Sequence, residues 1–164
     1  MRFCALFTLA LGCAAAEDEN NPCTVGELDG GAASASVGGT RWVTDEGSWS
    51  WTADGVQIVL DEAVGFQMTL KLNTVEGGDT IRDALDGDAL PAKVLFSGES
   101  GTASLRENRA NGLASYGTNQ PGGGGHLWLS AADEQTLEAC FEFDAASADG
   151  SVVDVTDGGL RVGS

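Results

Sequence analysis

Histidine is nearly missing from this 164-residue chain, where His126 stands alone. A histidine-based zinc centre therefore lacks its ligands. A Ser-His-Asp site would have to take His126 as its base, yet that residue follows four glycines, precedes a Leu-Trp-Leu stretch and has no nucleophile beside it in sequence. Basic residues are scarce as well, 8 against 25 acids, for a formal charge of −17. So acidic a surface repels nucleic acid and anionic head groups, and neither is expected as a partner. The acids are spread along the chain, so their default role is a solvated surface. No Gly-Lys-Ser/Thr follows the glycines of "PGGGGH", which removes a phosphate loop and leaves a mobile connection as the reading. No apolar run reaches the roughly 20 residues that cross a bilayer, and no long helical period is evident. Carboxylate-pair hydrolysis has acids in plenty, but no pair stands apart from the rest.

What is present begins at the N-terminus. Met1-Arg2 gives a minimal positive region, and Phe3 to Gly12 is an uncharged, mostly apolar stretch of the length of a signal-peptide core. Two processing sites overlap behind it. Leu9-Ala10-Leu11-Gly12-Cys13 resembles the lipobox of bacterial lipoproteins, in which a small residue precedes a cysteine that becomes lipidated and N-terminal. Ala14-Ala15-Ala16 suits ordinary signal peptidase, with Glu17 beginning a secreted or periplasmic chain. The lipidated reading is preferred, with residues 1–12 as signal. Loss of Arg2 then leaves seven basic residues against 25 acids, a net charge of −18.

Cysteine usage agrees with export. With Cys4 in the signal and Cys13 as the lipid site, Cys23 and Cys140 remain as a pair, which an oxidising compartment most often joins. By the chain-entropy model so long a loop contributes up to about 4–5 kcal/mol. A free thiol pair or a metal site is the alternative. Residues 13–31 are polar and acidic, a tether ahead of one domain at 32–164.

From Ala32 onward, Gly, Asp-Gly and Gly-Gly punctuate short apolar alternations, an all-β rhythm. In "SWSWTADGVQIVL", Asp54-Gly55 reads as a two-residue type I′ turn. Trp51 then opposes Ile58 and Trp49 opposes Leu60, all on a buried face. Asp157-Gly158 reads as a second such turn, pairing Val155 with Leu160 and Asp154 with Arg161. A third hairpin turns at Gly38-Gly39. Further strands are expected at Phe66–Leu72, Ala92–Ser97, Thr102–Arg106, Leu127–Ala131 and Thr136–Asp144, with Cys140 pointing outward between Glu138 and Glu142. "TIRDAL" suits one helical turn. About ten short antiparallel strands imply a single β-sandwich, or else a closed or partly open barrel.

"VGGTRWVTD" and "GHLWLSAADEQTLEACFEFDAASADGSVVDVTDGGLRV" carry a resemblance. The first looks like the V-N-G-x-x-W entry strand of small bacterial envelope lipoproteins grouped as a domain of unknown function. The second is similar to their apolar-aromatic strand and T-x-G-x-F-x-V ending. Gly39 stands where Asn-Gly is usual, Ala139-Cys140 where Gly-Thr is usual, and Leu160 replaces the final Phe. The resemblance implies an anchored β domain of the cell envelope and carries over no catalytic residues.

Two candidate sites follow from residue chemistry. Asp79, Asp83, Asp86 and Asp88 gather in one loop whose oxygens suit Ca²⁺, although the spacing departs from the EF-hand pattern; no other cofactor is expected. Among Trp42, Trp49, Trp51 and Trp128, the hairpin register buries Trp49 and Trp51. Trp42, beside Arg41, is then the aromatic left to face a sugar or partner. The reading is a monomeric, lipid-anchored envelope module that binds an envelope protein or glycan and is not an enzyme. A purely structural lipoprotein is the alternative, and a carboxylate-dependent hydrolase a more distant one. Cys13→Ser should abolish partitioning of the protein into detergent and change its mature N-terminus. An unmodified wild-type chain beginning at Glu17, read by intact mass, would refute the anchor.

Overall fold

The computed structural model describes Cys23, Val25, Leu28 and residues 32–61, 65–87, 89–110, 112–133 and 135–164. Cys13 and most of the tether lie outside these residues. Eleven strands and one short helix follow one another as β1 (Ala33–Val37), β2 (Thr40–Thr44), β3 (Glu46–Trp51), β4 (Val56–Asp61), β5 (Phe66–Leu72), α1 (Ile81–Asp86), β6 (Ala92–Leu95), β7 (Gly101–Arg109), β8 (Gly112–Gly117), β9 (Gly124–Ala132), β10 (Thr136–Ala146) and β11 (Val152–Gly163).

Period-two alternation decides which face of each strand is dry. Val56, Ile58 and Leu60 of β4, Met68, Leu70 and Leu72 of β5, and Leu137, Ala139, Phe141 and Phe143 of β10 are all buried, with more polar residues between them. Backbone pairing sorts the strands into two sets. One is antiparallel throughout in the order β2-β1-β11-β10-β9-β6. The other is the antiparallel run β3-β4-β5-β7-β8. Two single residue pairs join the sets: Gly163 with Ser48, which is parallel, and Ala146 with Gly117. Through them the eleven strands form one continuous sheet. The buried faces of both sets contribute to one hydrophobic cluster, so the sheet folds over on itself as a β-sandwich.

The Gly38-Gly39 turn is as expected. Both residues have positive φ, 55° and 76°, and Val37 opposes Thr40. The other two hairpin readings are corrected. Neither Asp54 nor Gly55 is among the positive-φ residues, so the turn is not type I′. A four-residue loop, Thr52 to Gly55, closes instead. The Thr52 N–H donates to the Gly55 carbonyl at 2.8 Å, and the Thr52 hydroxyl accepts the Gly55 N–H at 3.1 Å. Glycine is needed there for space, because a Cβ would sit 2.0 Å from the Leu72 carbonyl oxygen. Trp49 consequently opposes Ile58, and Trp51 opposes Val56. A slip of two residues preserves the faces but moves Trp51 toward the rim, where it is 40% exposed against 6% for Trp49.

Asp157-Gly158 is not a turn at all. β11 runs through it as one twelve-residue strand that pairs with β10 along its length and with β1 along its middle, from Val155 to Leu160. Asp157 takes φ 52°, and the register shifts beside it in both ladders, the signature of a bulge. Gly158 lies flat beneath Phe141, whose ring atoms would stand 2.4 Å from an added Cβ. With no hairpin there, Arg161 opposes Glu138 rather than Asp154, and its Nε lies 2.5 Å from the Glu138 Oε1. β8 is an addition to the expected strands; its glycine-bounded "GLASYG" buries only Tyr116 as a large side chain.

Cys23 and Cys140 are joined by a disulfide, their Cα atoms 5.5 Å apart across 117 residues. Cys140 alternates with the buried residues of β10, so the bridge lies on the outer face of the six-stranded set. Val25 and Leu28 lie over the same face, within van der Waals reach of a Cβ built at Gly159. The difference between the two tryptophans of β3 can be measured by chemical denaturation. Trp49→Ala should cost about 3–5 kcal/mol as a core truncation. Trp51→Ala should cost markedly less, and equal losses would contradict the register.

Candidate functional site

The acidic loop resolves into a capped helix. Thr80 is the N-cap of α1, its hydroxyl accepting the Asp83 N–H at 3.1 Å, while the same hydroxyl lies 2.7 Å from the Asp83 Oδ2. Asp83 is thereby occupied by the helix start, and its charge suits the positive end of the backbone dipoles. Asp88 lies outside the described residues. Among those described, no group of three or more His, Cys, Asp or Glu side chains is gathered closely enough to hold a metal ion.

The tryptophans are arranged differently from expectation. Trp42 is 5% exposed and belongs to the core, which corrects its reading as the outward aromatic; neighbouring Arg41 is exposed on β2. Burial follows from position, because Trp42 shares the inner face of the first hairpin with Ala35, the residue directly opposite it. Trp51 is the exposed one, and its ring face is already covered by the Arg82 guanidinium, 4.1 Å from the ring centroid. Trp128 is half-buried with the Lys93 ammonium 5.6 Å from its centroid. Two of the four are therefore buried, and the two that reach the surface each have a cation against the ring.

His126 lines a concavity of about 240 Å³ where β9, β10 and β11 meet. It stands opposite Glu142 in the ladder, with Nε2 3.7 Å from the Glu142 Oε1. Its recorded partner among the described residues is thus a carboxylate, not a hydroxyl. The preceding glycines, read as a loose connection, are partly strand: Gly124 and Gly125 open β9 against Asp144 and Phe143.

A larger concavity, about 350 Å³, lies on the outer face of the five-stranded set. Its walls are the outward side chains of β4, β5 and β7. At the centre Thr69 and Ser104 face each other across β5 and β7, beside Val59 of β4. At one end Lys71 opposes Gln57; at the other Arg106 opposes Gln67. The Gln67 amide donates to the Asp61 Oδ2 at 3.4 Å, and Asp61 is Gln67's opposite number on β4. Among the described residues, neither Lys71 nor Arg106 forms an ion pair. An apolar sheet face would have called for a covering layer; this one offers hydroxyls, amides and two cations. Such groups orient a polar ligand, and a concavity of this volume falls within the range of small-ligand sites.

Sequence reasoning did not find this groove. Its signal was available within each strand, since the residues that alternate with the core positions of Phe66–Leu72 are Gln67, Thr69 and Lys71. Their partners on β7 lie across α1 and β6 in the chain, and local pattern does not reveal that pairing. Compared with protein-family models, curated proteins and solved structures, the chain finds no match.

One carboxylate is clearly perturbed. Asp149, in the turn between β10 and β11, is held at about 2 from an ordinary 3.8. The Ser147 hydroxyl donates to its carboxylate, and the Ser151 N–H adds a second bond at 3.0 Å, both favouring the charged form. A depressed folded pKa contributes stability that is present above the unfolded value and is lost as pH falls through the folded one. The loss should therefore fall between about pH 4 and pH 2. Carboxyl titration by NMR should show the low Asp149 pKa. Asp149→Asn should remove that part of the acid dependence while leaving unfolding above pH 5 insensitive to pH at this site.

Proposed function

We propose that this chain is an exported, lipid-anchored β-sandwich of the bacterial cell envelope that acts as a non-catalytic binding module. Its ligand would lie in the outer groove of β4, β5 and β7. Support for export comes from the apolar N-terminal stretch and from a cysteine pair close enough to bridge. The small residue before Cys13 and the likeness to small envelope lipoproteins support the anchor. The groove is the observation that carries the binding role, because it is concave and lined by two cations with no ion-pair partner among the described residues. A domain serving only as structural filler has no need for this arrangement.

The test separates binding from anchoring. A Cys13→Ser form, free of lipid, should still sediment saturably with isolated bacterial envelopes. Thr69→Trp, which fills the centre of the groove from an outward-facing position, should weaken that sedimentation at least tenfold. A Thr40→Trp control at the far hairpin should leave it unchanged. Absence of saturable sedimentation by the Cys13→Ser form would refute the module. Equal sedimentation of the Thr69 variant would refute the groove as its site.

A further inference from the structure

Resting on that groove as a binding site, we infer that its occupant is an acidic saccharide, an oligosaccharide bearing carboxylate groups on separate rings. The argument starts from charge. In a chain of net charge −17, the two cations of the groove stand out from their surroundings. Surface cations with no ion-pair partner among the described residues focus a locally positive field on whatever occupies the space between them. An anion is the complement.

Spacing narrows the class. Arg106 opposes Gln67 in the β5–β7 ladder, and Lys71 lies four residues further along β5. At about 3.4 Å per residue and about 4.8 Å between strands, the two Cα atoms stand about 14 Å apart. The two cations stand at opposite ends of the groove, so an extended ligand with two separated charges engages both along its length. A nucleic acid carries a phosphate charge at every nucleotide and would place several against acidic flanks.

Between the cations lie groups that match sugar hydroxyls. Thr69 and Ser104 are hydroxyls able both to donate and to accept, and Gln57 brings an amide to the Lys71 end. With the Gln67 Nε2 engaged by Asp61, its carbonyl oxygen is left to accept from a ligand hydroxyl. An extended peptide adds to a sheet through its edge, by backbone hydrogen bonds, whereas this face offers side chains alone. Among the described residues no aromatic ring lines the groove. A neutral glycan would lack the stacking surface that gives such ligands affinity, so charge-assisted hydrogen bonds must supply it. Asp61 closes the Arg106 end with a carboxylate of its own, which repels a further anionic group and sets the register of the chain.

The experiment is calorimetric titration of the mature protein with galacturonate oligosaccharides and with neutral galactose oligosaccharides of equal length, accompanied by amide shift mapping. Saturable binding of the acidic series is expected, with the largest shifts on β4, β5 and β7. Weakening with added salt is expected too. Lys71→Met and Arg106→Gln should each reduce affinity about 10- to 100-fold, the loss of one charged hydrogen-bonding group. Arg106→Lys should fall between wild type and Arg106→Gln, since it keeps charge but loses the two-pronged geometry. These side chains point outward, so circular dichroism should show unchanged folding in every variant. Equal binding of the neutral series, with shifts still on the groove, would overturn the acidic assignment and leave the groove standing. Binding of an acidic peptide in place of either sugar would do the same. Shifts confined to other faces would overturn both.

Discussion

Among the described residues two ladder pairs join the backbones of the two strand sets, Gly163 with Ser48 and Ala146 with Gly117, so what holds the sets face to face is the burial of their inner side chains. That constraint reaches every strand. Each must present an apolar residue at every second position on one side, and each is then free on the other. Ile58, Met68, Leu105, Leu129, Leu137 and Leu160, drawn from six strands, are all fully buried in the shared cluster. β11 carries the heaviest demand because it pairs with β10 and β1 and touches β3 at its end. The bulge at Asp157 lets one long strand keep both ladders while Gly158 passes under Phe141.

The same alternation made most strands legible before any coordinates were considered. Phe66–Leu72 came out with its observed ends because four large apolar residues alternate there between clear breaks. Register and connection were harder, and the dipeptide Asp-Gly shows why. Among the described residues it occurs in a four-residue loop at Asp54-Gly55, at the end of α1 at Asp86-Gly87, in the turn at Asp149-Gly150 and in the bulge at Asp157-Gly158. Local chemistry favours a turn at all four. The neighbours that decide between them are the Leu72 carbonyl at one and the Phe141 ring at another, both brought in by other strands.

The groove belongs to the same class of information. Local pattern can say that Thr69 and Lys71 face away from the core, but not that Ser104 and Arg106 stand beside them. Trp42 and Trp51 exchange roles for a related reason. One sits on the inner face of a hairpin, while the other is carried to the rim by a slip of two residues. Charge behaves likewise: Asp83 reads as one member of an acidic cluster until Thr80 is seen to take it into a helix cap.

The disulfide gives the molecule a front and a back. Cys140 lies on the outer face of β10, and the arm bearing Cys23, Val25 and Leu28 rests against that face. The polar groove opens from the outer face of the other strand set, on the far side of the core. The covalent bridge therefore fixes Cys23 behind the sandwich, opposite the groove. One core's thickness separates the bridge from the groove, and the face on which the bridge falls is set by where a single cysteine stands in the alternation of β10.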